Sequence, residues 1–213
     1  MSTDLVSFHY LKIFTGIVSV LNPLGAIPIF LSLTSARSNR ERASIAVVAA
    51  VSATAILMIA AVSGEAILDF FGICIASFRV GGGILILLMA ISMLHAKTSH
   101  AKHSPDEARE AEDMESIAVV PLAVPLLAGP GSISTVIVYS HEAKDLVELG
   151  ALGLVILLTG ILVWLVLRLA VPIGTRLGTT GINIVVRLLG LILAAIAVEF
   201  MAAGLRGLFP VLS

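Results

Sequence analysis

Six stretches of this chain, approximately 8–34, 43–63, 71–94, 117–140, 147–170 and 183–204, run for more than twenty residues with no more than two charged side chains each. Apolar runs of that length match the hydrocarbon thickness of a bilayer and read as membrane-spanning helices rather than buried core helices. Lipid offers no partner to a backbone amide or carbonyl, so each run must satisfy its own hydrogen bonds as a helix. The 213 residues leave no room for an extramembrane domain of ordinary size. Composition agrees, with 58% hydrophobic and 13% charged residues, against about 45–50% and 25% in soluble domains. The chain is expected to be all-α, a polytopic membrane protein.

Several function classes drop out at once. The net charge of −1 argues against a nucleic-acid partner. The single Cys74 leaves no disulfide framework and no dithiol redox pair. There is no His-Glu-x-x-His, no Gly-x-Ser-x-Gly and no Walker loop, so catalysis is disfavoured and no cofactor or metal is expected. The opening Met-Ser-Thr-Asp lacks the basic region of a cleavable signal, so the first apolar segment is expected to stay as a membrane helix.

Basic residues set the expected orientation. Arg37, Arg40, Arg42, Lys97, Lys102, Arg109, Arg168, Arg176 and Arg187 fall on one side, and Lys12, Arg79, Lys144 and Arg206 on the other. The excess predicts that loops one, three and five are cytoplasmic and both termini outside. The links are read as a basic turn after the first span, a short link with Glu65 and Asp69, an acidic link from Glu142 to Glu148, and a Gly/Thr link around Arg176. The polar loop at 95–116 carries His95, His100 and His103 and reads as a solvated connector. Its histidines lack a second ligand group that would fix a metal geometry.

An internal repeat divides the chain. Phe78-Arg79-Val80-Gly81-Gly82-Gly83-Ile84-Leu85 matches Val186-Arg187-Leu188-Leu189-Gly190-Leu191-Ile192-Leu193, at an offset of 187 − 79 = 108 residues. Earlier in each half lies a span interrupted by proline and glycine, with Pro23 and Pro130 at 130 − 23 = 107. Three spans per half is an odd number, so the halves must be inverted. The expected fold is six transmembrane helices as two inverted three-helix repeats, each with a broken first helix. The first repeat covers 1–95, a polar cytoplasmic connector 96–116, and the second repeat 117–213. Matched interrupted spans in inverted repeats point to the binding site of a secondary transporter.

Proline inside a helix removes one donor and displaces the carbonyl four residues earlier. Pro23 and Pro28 would free the carbonyls of Ser19 and Leu24; Pro125 and Pro130 would free those of Pro121 and Leu126. Half-helix N-termini at such breaks offer amides and partial positive charge to a carboxylate. The candidate substrate-binding residues are Asn22, Pro23, Gly25, Pro28, Pro125, Gly129, Pro130, Gly131, Ser132 and Thr135. Ser134 adds a neutral hydroxyl, and a small zwitterion suits the set.

Glu199 is the one carboxylate well inside an apolar span, and an intramembrane ionisable group is a candidate for proton coupling. The alternative is a structural glutamate near the outer interface. Ile192, Ala195, Ala202 and Ala203 share its face, a small-residue stripe suited to helix packing. Arg79 and Arg187 read either as gate residues or as snorkelling anchors at helix ends.

The segments Leu21-Asn22-Pro23-Leu24-Gly25-Ala26-Ile27-Pro28-Ile29-Phe30 and Pro121-Leu122-Ala123-Val124-Pro125-Leu126-Leu127-Ala128-Gly129-Pro130-Gly131-Ser132-Ile133 resemble the signatures of the MarC family of six-span membrane proteins, also grouped as neutral amino acid transporters. The resemblance covers essentially the whole chain. It implies a bacterial or archaeal cytoplasmic-membrane protein, with alanine, glycine or serine as substrate class. The expected partners are that small neutral amino acid and the lipid bilayer; a homo-oligomer is compatible. Two other readings stay open: export of drugs or another metabolite, and a membrane scaffold acting through the 95–116 loop.

Overall fold

The computed structural model describes residues 2–95, 127–209 and 211, with side chains from Tyr10 onward. Its helices are α1 (Ser2–Leu21), α2 (Pro23–Leu33), α3 (Asn39–Phe70), α4 (Ile75–Leu94), α5 (Pro130–Glu142), α6 (Leu146–Arg168) and α7 (Ala170–Leu208). No strand occurs among the described residues. Five segments are long and apolar enough to cross a bilayer: Tyr10–Leu33, which includes the α1–α2 junction, then α3, α4, α6 and α7. At 13 residues, α5 reaches only about 20 Å. It is the second part of the expected fourth span, whose beginning lies outside the described residues, as does the 96–116 connector.

Helix ends follow their local chemistry. Ser38 accepts the Glu41 amide while the Glu41 carboxylate accepts the Ser38 amide, a capping box that starts α3 four residues before the expected span. The expected link around Glu65 and Asp69 is instead helical. Charge does not end a helix, and α3 continues to Phe70. There Gly72, at φ 66°, closes a Schellman turn with Ile73 N–H on the Leu68 carbonyl and Gly72 N–H on the Asp69 carbonyl. The expected Gly/Thr link after the fifth span narrows to one residue: within α7 two helical stretches meet at Gly178, whose φ 61°, ψ 178° is non-helical. Pro172 falls in the first turn, where its missing amide proton costs no helical bond.

The buried side chains form two clusters. The larger joins α1, α2, α3 and α6 around Ile17, Ile27, Phe30, Leu57 and Ile156, with Ala46, Ala49, Ala50 and Ala53 bringing α3 close to its neighbours. The smaller joins α1, α4, α5 and α7 around Val20, Ile86, Val138, Leu193 and Phe200. Helices α4 and α7 run antiparallel at close range. A Cβ on Gly204 would lie 2.7 Å from the Ala76 carbonyl oxygen, and one on Gly190 3.3 Å from that of Ala90. Small residues let helix backbones approach this closely.

This packing corrects the expected contact face of the last span. Gly190, Leu193, Ala197, Phe200 and Gly204 are buried, whereas Ile192, on the Glu199 side, is 52% exposed. Helices equated by the sequence repeat make corresponding contacts: α2 lies on α6 and α7, α5 lies on α3 and α4, and the pairs α3–α6 and α4–α7 meet directly.

Candidate functional site

The first break is one residue wide. Helix α1 continues until the Asn22 amide donates to the Val18 carbonyl at 2.9 Å. Asn22 itself then takes φ 47°, ψ 60°. Asparagine tolerates this left-handed region because its short polar side chain bonds locally. Its Oδ1 accepts the Gly25 amide at 3.1 Å, capping α2. Pro23, at the first helical position, has the φ that a helix start needs and lacks a proton that would go unbonded there. A Cβ on Gly25 would collide with the Asn22 carboxamide, so the glycine is what makes room for the cap. Pro28 lies inside α2 and withholds a helical bond from the Leu24 carbonyl, as expected.

The second break has other parts. Gly129 is extended at φ −78°, ψ 173° and places no side chain over the start of α5; Pro130 follows at the first helical position. Ser132 Oγ donates to the Leu127 carbonyl at 3.0 Å, and Thr135 Oγ1 to that of Gly131 at 2.8 Å. Ser132, Ser134 and Thr135 are buried. Among the described residues the Gly131 and Ser132 amides meet no acceptor. Pro125 lies outside the described residues.

Contacts bring the two breaks to one depth. A Cβ on Gly131 would sit 3.3 Å from Val20, two residues before Asn22, and 3.0 and 3.4 Å from Met89 and Ile86 of α4. Further along, the Tyr139 hydroxyl lies 3.1 Å from the Cβ position of Gly16. Numbering rises along α1 as it falls along α5, so the helices are antiparallel. The end of α1 therefore stands beside the start of α5. Ser134 closes on the other side, against Gly82 of α4.

The charged candidates lie elsewhere. Arg79, with its side chain 18% exposed, donates to Glu142 at the far end of α5 at 2.7 Å. His141 pairs with Glu65 of α3 at 2.8 Å, and Ser140 donates to the Ala61 carbonyl. Three consecutive residues thus tie the C-terminal end of α5 to α3 and α4. Glu199, 70% exposed, is 3.7 Å from Lys12. Lys12 precedes Asn22 by ten residues, or about 15 Å along the helix. Arg187 is exposed on α7.

Sequence reasoning missed Glu142 as the partner of Arg79, and Met89 and Ile86 as the wall facing Gly131. A contact between segments 63 residues apart leaves no local signal. Chemically, the second break offers two helix-start amides without an acceptor among the described residues, together with buried hydroxyls, close backbone approach and no formal charge there.

Residues 7–209 match the model of the family described as MarC family integral membrane protein. The chain is 40% identical to the UPF0056 membrane protein YhcE of Escherichia coli strain K12, over 94% of each chain. It is 41% identical to the UPF0056 membrane protein BU267 of Buchnera aphidicola subsp. Acyrthosiphon pisum, again over 94% of each. Identity is also 41% to the UPF0056 membrane protein MJ1677 of Methanocaldococcus jannaschii, over 93% of this chain and 97% of that one. No solved structure matches.

Proposed function

The chain belongs to the MarC family of integral membrane proteins, and from that premise we propose that it is a secondary transporter or exporter of small neutral amino acids. The observation that carries this reading is the start of α5, whose amides meet no acceptor among the described residues and which is buried beside the end of α1 at the depth of the Asn22 break. A zwitterion would set its carboxylate on the Gly131 and Ser132 amides, where the helix dipole adds partial positive charge. Its ammonium group would take carbonyls released at the breaks, including those of Ser19 and Leu24. Gly131 matters because a side chain there would press on Met89, Val20 and Ile86, which pack beside those amides.

Alternating access follows from the expected inverted halves, with α2 and α5 as the elements that move. The Arg79–Glu142 and His141–Glu65 pairs would hold one end of α5 closed. The arginine-rich end, by the excess of basic residues, faces the cytoplasm of a cell whose inner membrane holds the protein. Proton coupling through Glu199 would act at the rim, since its side chain is exposed.

The test is exchange of labelled alanine or glycine by purified protein in liposomes. Saturable exchange that Gly131→Leu reduces to the empty-liposome level supports the reading. No exchange of any small neutral amino acid, or exchange unaffected by Gly131→Leu in a folded variant, overturns it.

A further inference from the structure

A cavity of about 240 Å³ opens at the arginine-rich end, between α2, α3, α6 and the start of α7. Asn39, Arg42 and Arg168 are its polar lining, Val171 and Pro172 are the exposed part of its apolar wall, and the buried Phe30 and Leu167 lie at its base. No carboxylate lines it. Arg42 is fixed by two backbone carbonyls: Nε donates to Thr34 at 2.9 Å and Nη2 to Ser35 at 3.0 Å. Both acceptors are neutral, so its charge stays uncompensated. The nearest carboxylate in sequence, Glu41, is engaged by the Ser38 amide and by Arg37. Arg168, in the last turn of α6, is exposed and makes no ion pair among the described residues.

Each arginine also has a simpler role. Arg42 satisfies carbonyls past the end of α2, and Arg168 complements the C-terminal dipole of α6. Neither role requires the two cations to share one concavity, and neither accounts for its apolar half.

We propose that this cavity binds the headgroup of an anionic membrane phospholipid. The phosphate takes the Arg168 guanidinium, whose planar fork matches its oxygens, and the positive charge and remaining N–H groups of Arg42, whose Nε and Nη2 stay on Thr34 and Ser35. The glycerol and the upper acyl carbons lie along Val171 and Pro172, the exposed apolar residues of the lining. Basic pockets between spanning helices at headgroup level are the setting in which such lipids are recognised. A water occupies about 30 Å³, so the cavity has room for a phosphodiester and its adjoining glycerol. The apolar wall favours a lipid over a free ion, which would be desolvated there without gain. The lack of a carboxylate leaves the ammonium of a zwitterionic headgroup without a partner.

Thermal unfolding of the full chain in a neutral detergent tests this, with added dioctanoyl phosphatidylglycerol, dioctanoyl phosphatidylcholine or inorganic phosphate. A ligand that binds only the folded state raises Tm saturably. Phosphatidylglycerol should do so; the other two should not at the same concentrations. Arg168→Gln should raise the half-saturating concentration about tenfold or more, about 1.4 kcal/mol. Arg168→Lys, which keeps the charge but not the fork, should fall between. Arg176→Gln, an exposed arginine outside the cavity, should change it less than about twofold. Equal responses to both lipids, the full response to inorganic phosphate alone, or equal losses in Arg168→Gln and Arg176→Gln would each overturn it.

Discussion

At the start of α2, Asn22 folds its carboxamide over the helix end and accepts the Gly25 amide, whereas at the start of α5 Gly129 has no side chain to do the same. Both breaks place proline at the first helical position and a glycine two or three residues past the junction. The two glycines nonetheless serve different ends. Gly25 makes room for a cap supplied by its own chain, and Gly131 lets Met89, Val20 and Ile86 pack close beside amides that no side chain caps among the described residues. A helix start that is already satisfied holds the backbone in a bent path, and one left open can receive an anion. The first break should therefore govern stability and the second should govern binding.

The largest effect is expected at the second break. Gly131→Leu places four carbons where one would already meet Met89, Val20 and Ile86 at 3.0–3.4 Å. Alanine exchange in proteoliposomes should fall to background. Next come Asn22→Ala and Gly25→Ala. Each removes the cap, worth about 1 kcal/mol, and adds left-handed strain or overpacking of about 1–3 kcal/mol. Each should lower Tm in detergent while changing alanine affinity little. Because both act on one contact, the double variant should cost much less than the sum of the two.

A smaller effect is expected at the end of α5. Arg79→Gln removes a partly exposed ion pair worth about 0.5–1 kcal/mol. Exchange rate should move more than Tm if that pair closes one end of the transporter. The smallest effect is expected for Glu199→Gln, where both partners are mostly exposed. Tm should not change measurably, and any flattening of the pH profile of exchange would assign Glu199 to coupling.

Much of this comparison was legible in the chain itself. Pro23 and Pro130, each in the middle of an apolar span, marked the two breaks, and both junctions fell where the sequence placed them. Burial of the α3 alanines followed from their spacing. What the sequence hid was tertiary. Glu65 and Asp69 looked like a link because charge marks the water boundary, but helix termination depended on Gly72. The Gly/Thr stretch looked like a loop because its composition is weakly helical, yet a single kink at Gly178 absorbs the bend. The face of the last span could not be chosen by residue size, since both faces carry small residues and only the approach of α4 decides between them. The cap on Gly25 was missed because Asn22 read as a ligand donor rather than as the residue that caps α2.

Calorimetric titration of alanine into Gly131→Ala and Gly25→Ala, each beside the unchanged protein, tests the division of roles most directly. Affinity should fall about tenfold, or about 1.4 kcal/mol, in Gly131→Ala and stay within about twofold in Gly25→Ala, with the order of Tm losses reversed. Equal losses of affinity at the two positions, or a loss at Gly25 alone, would contradict it.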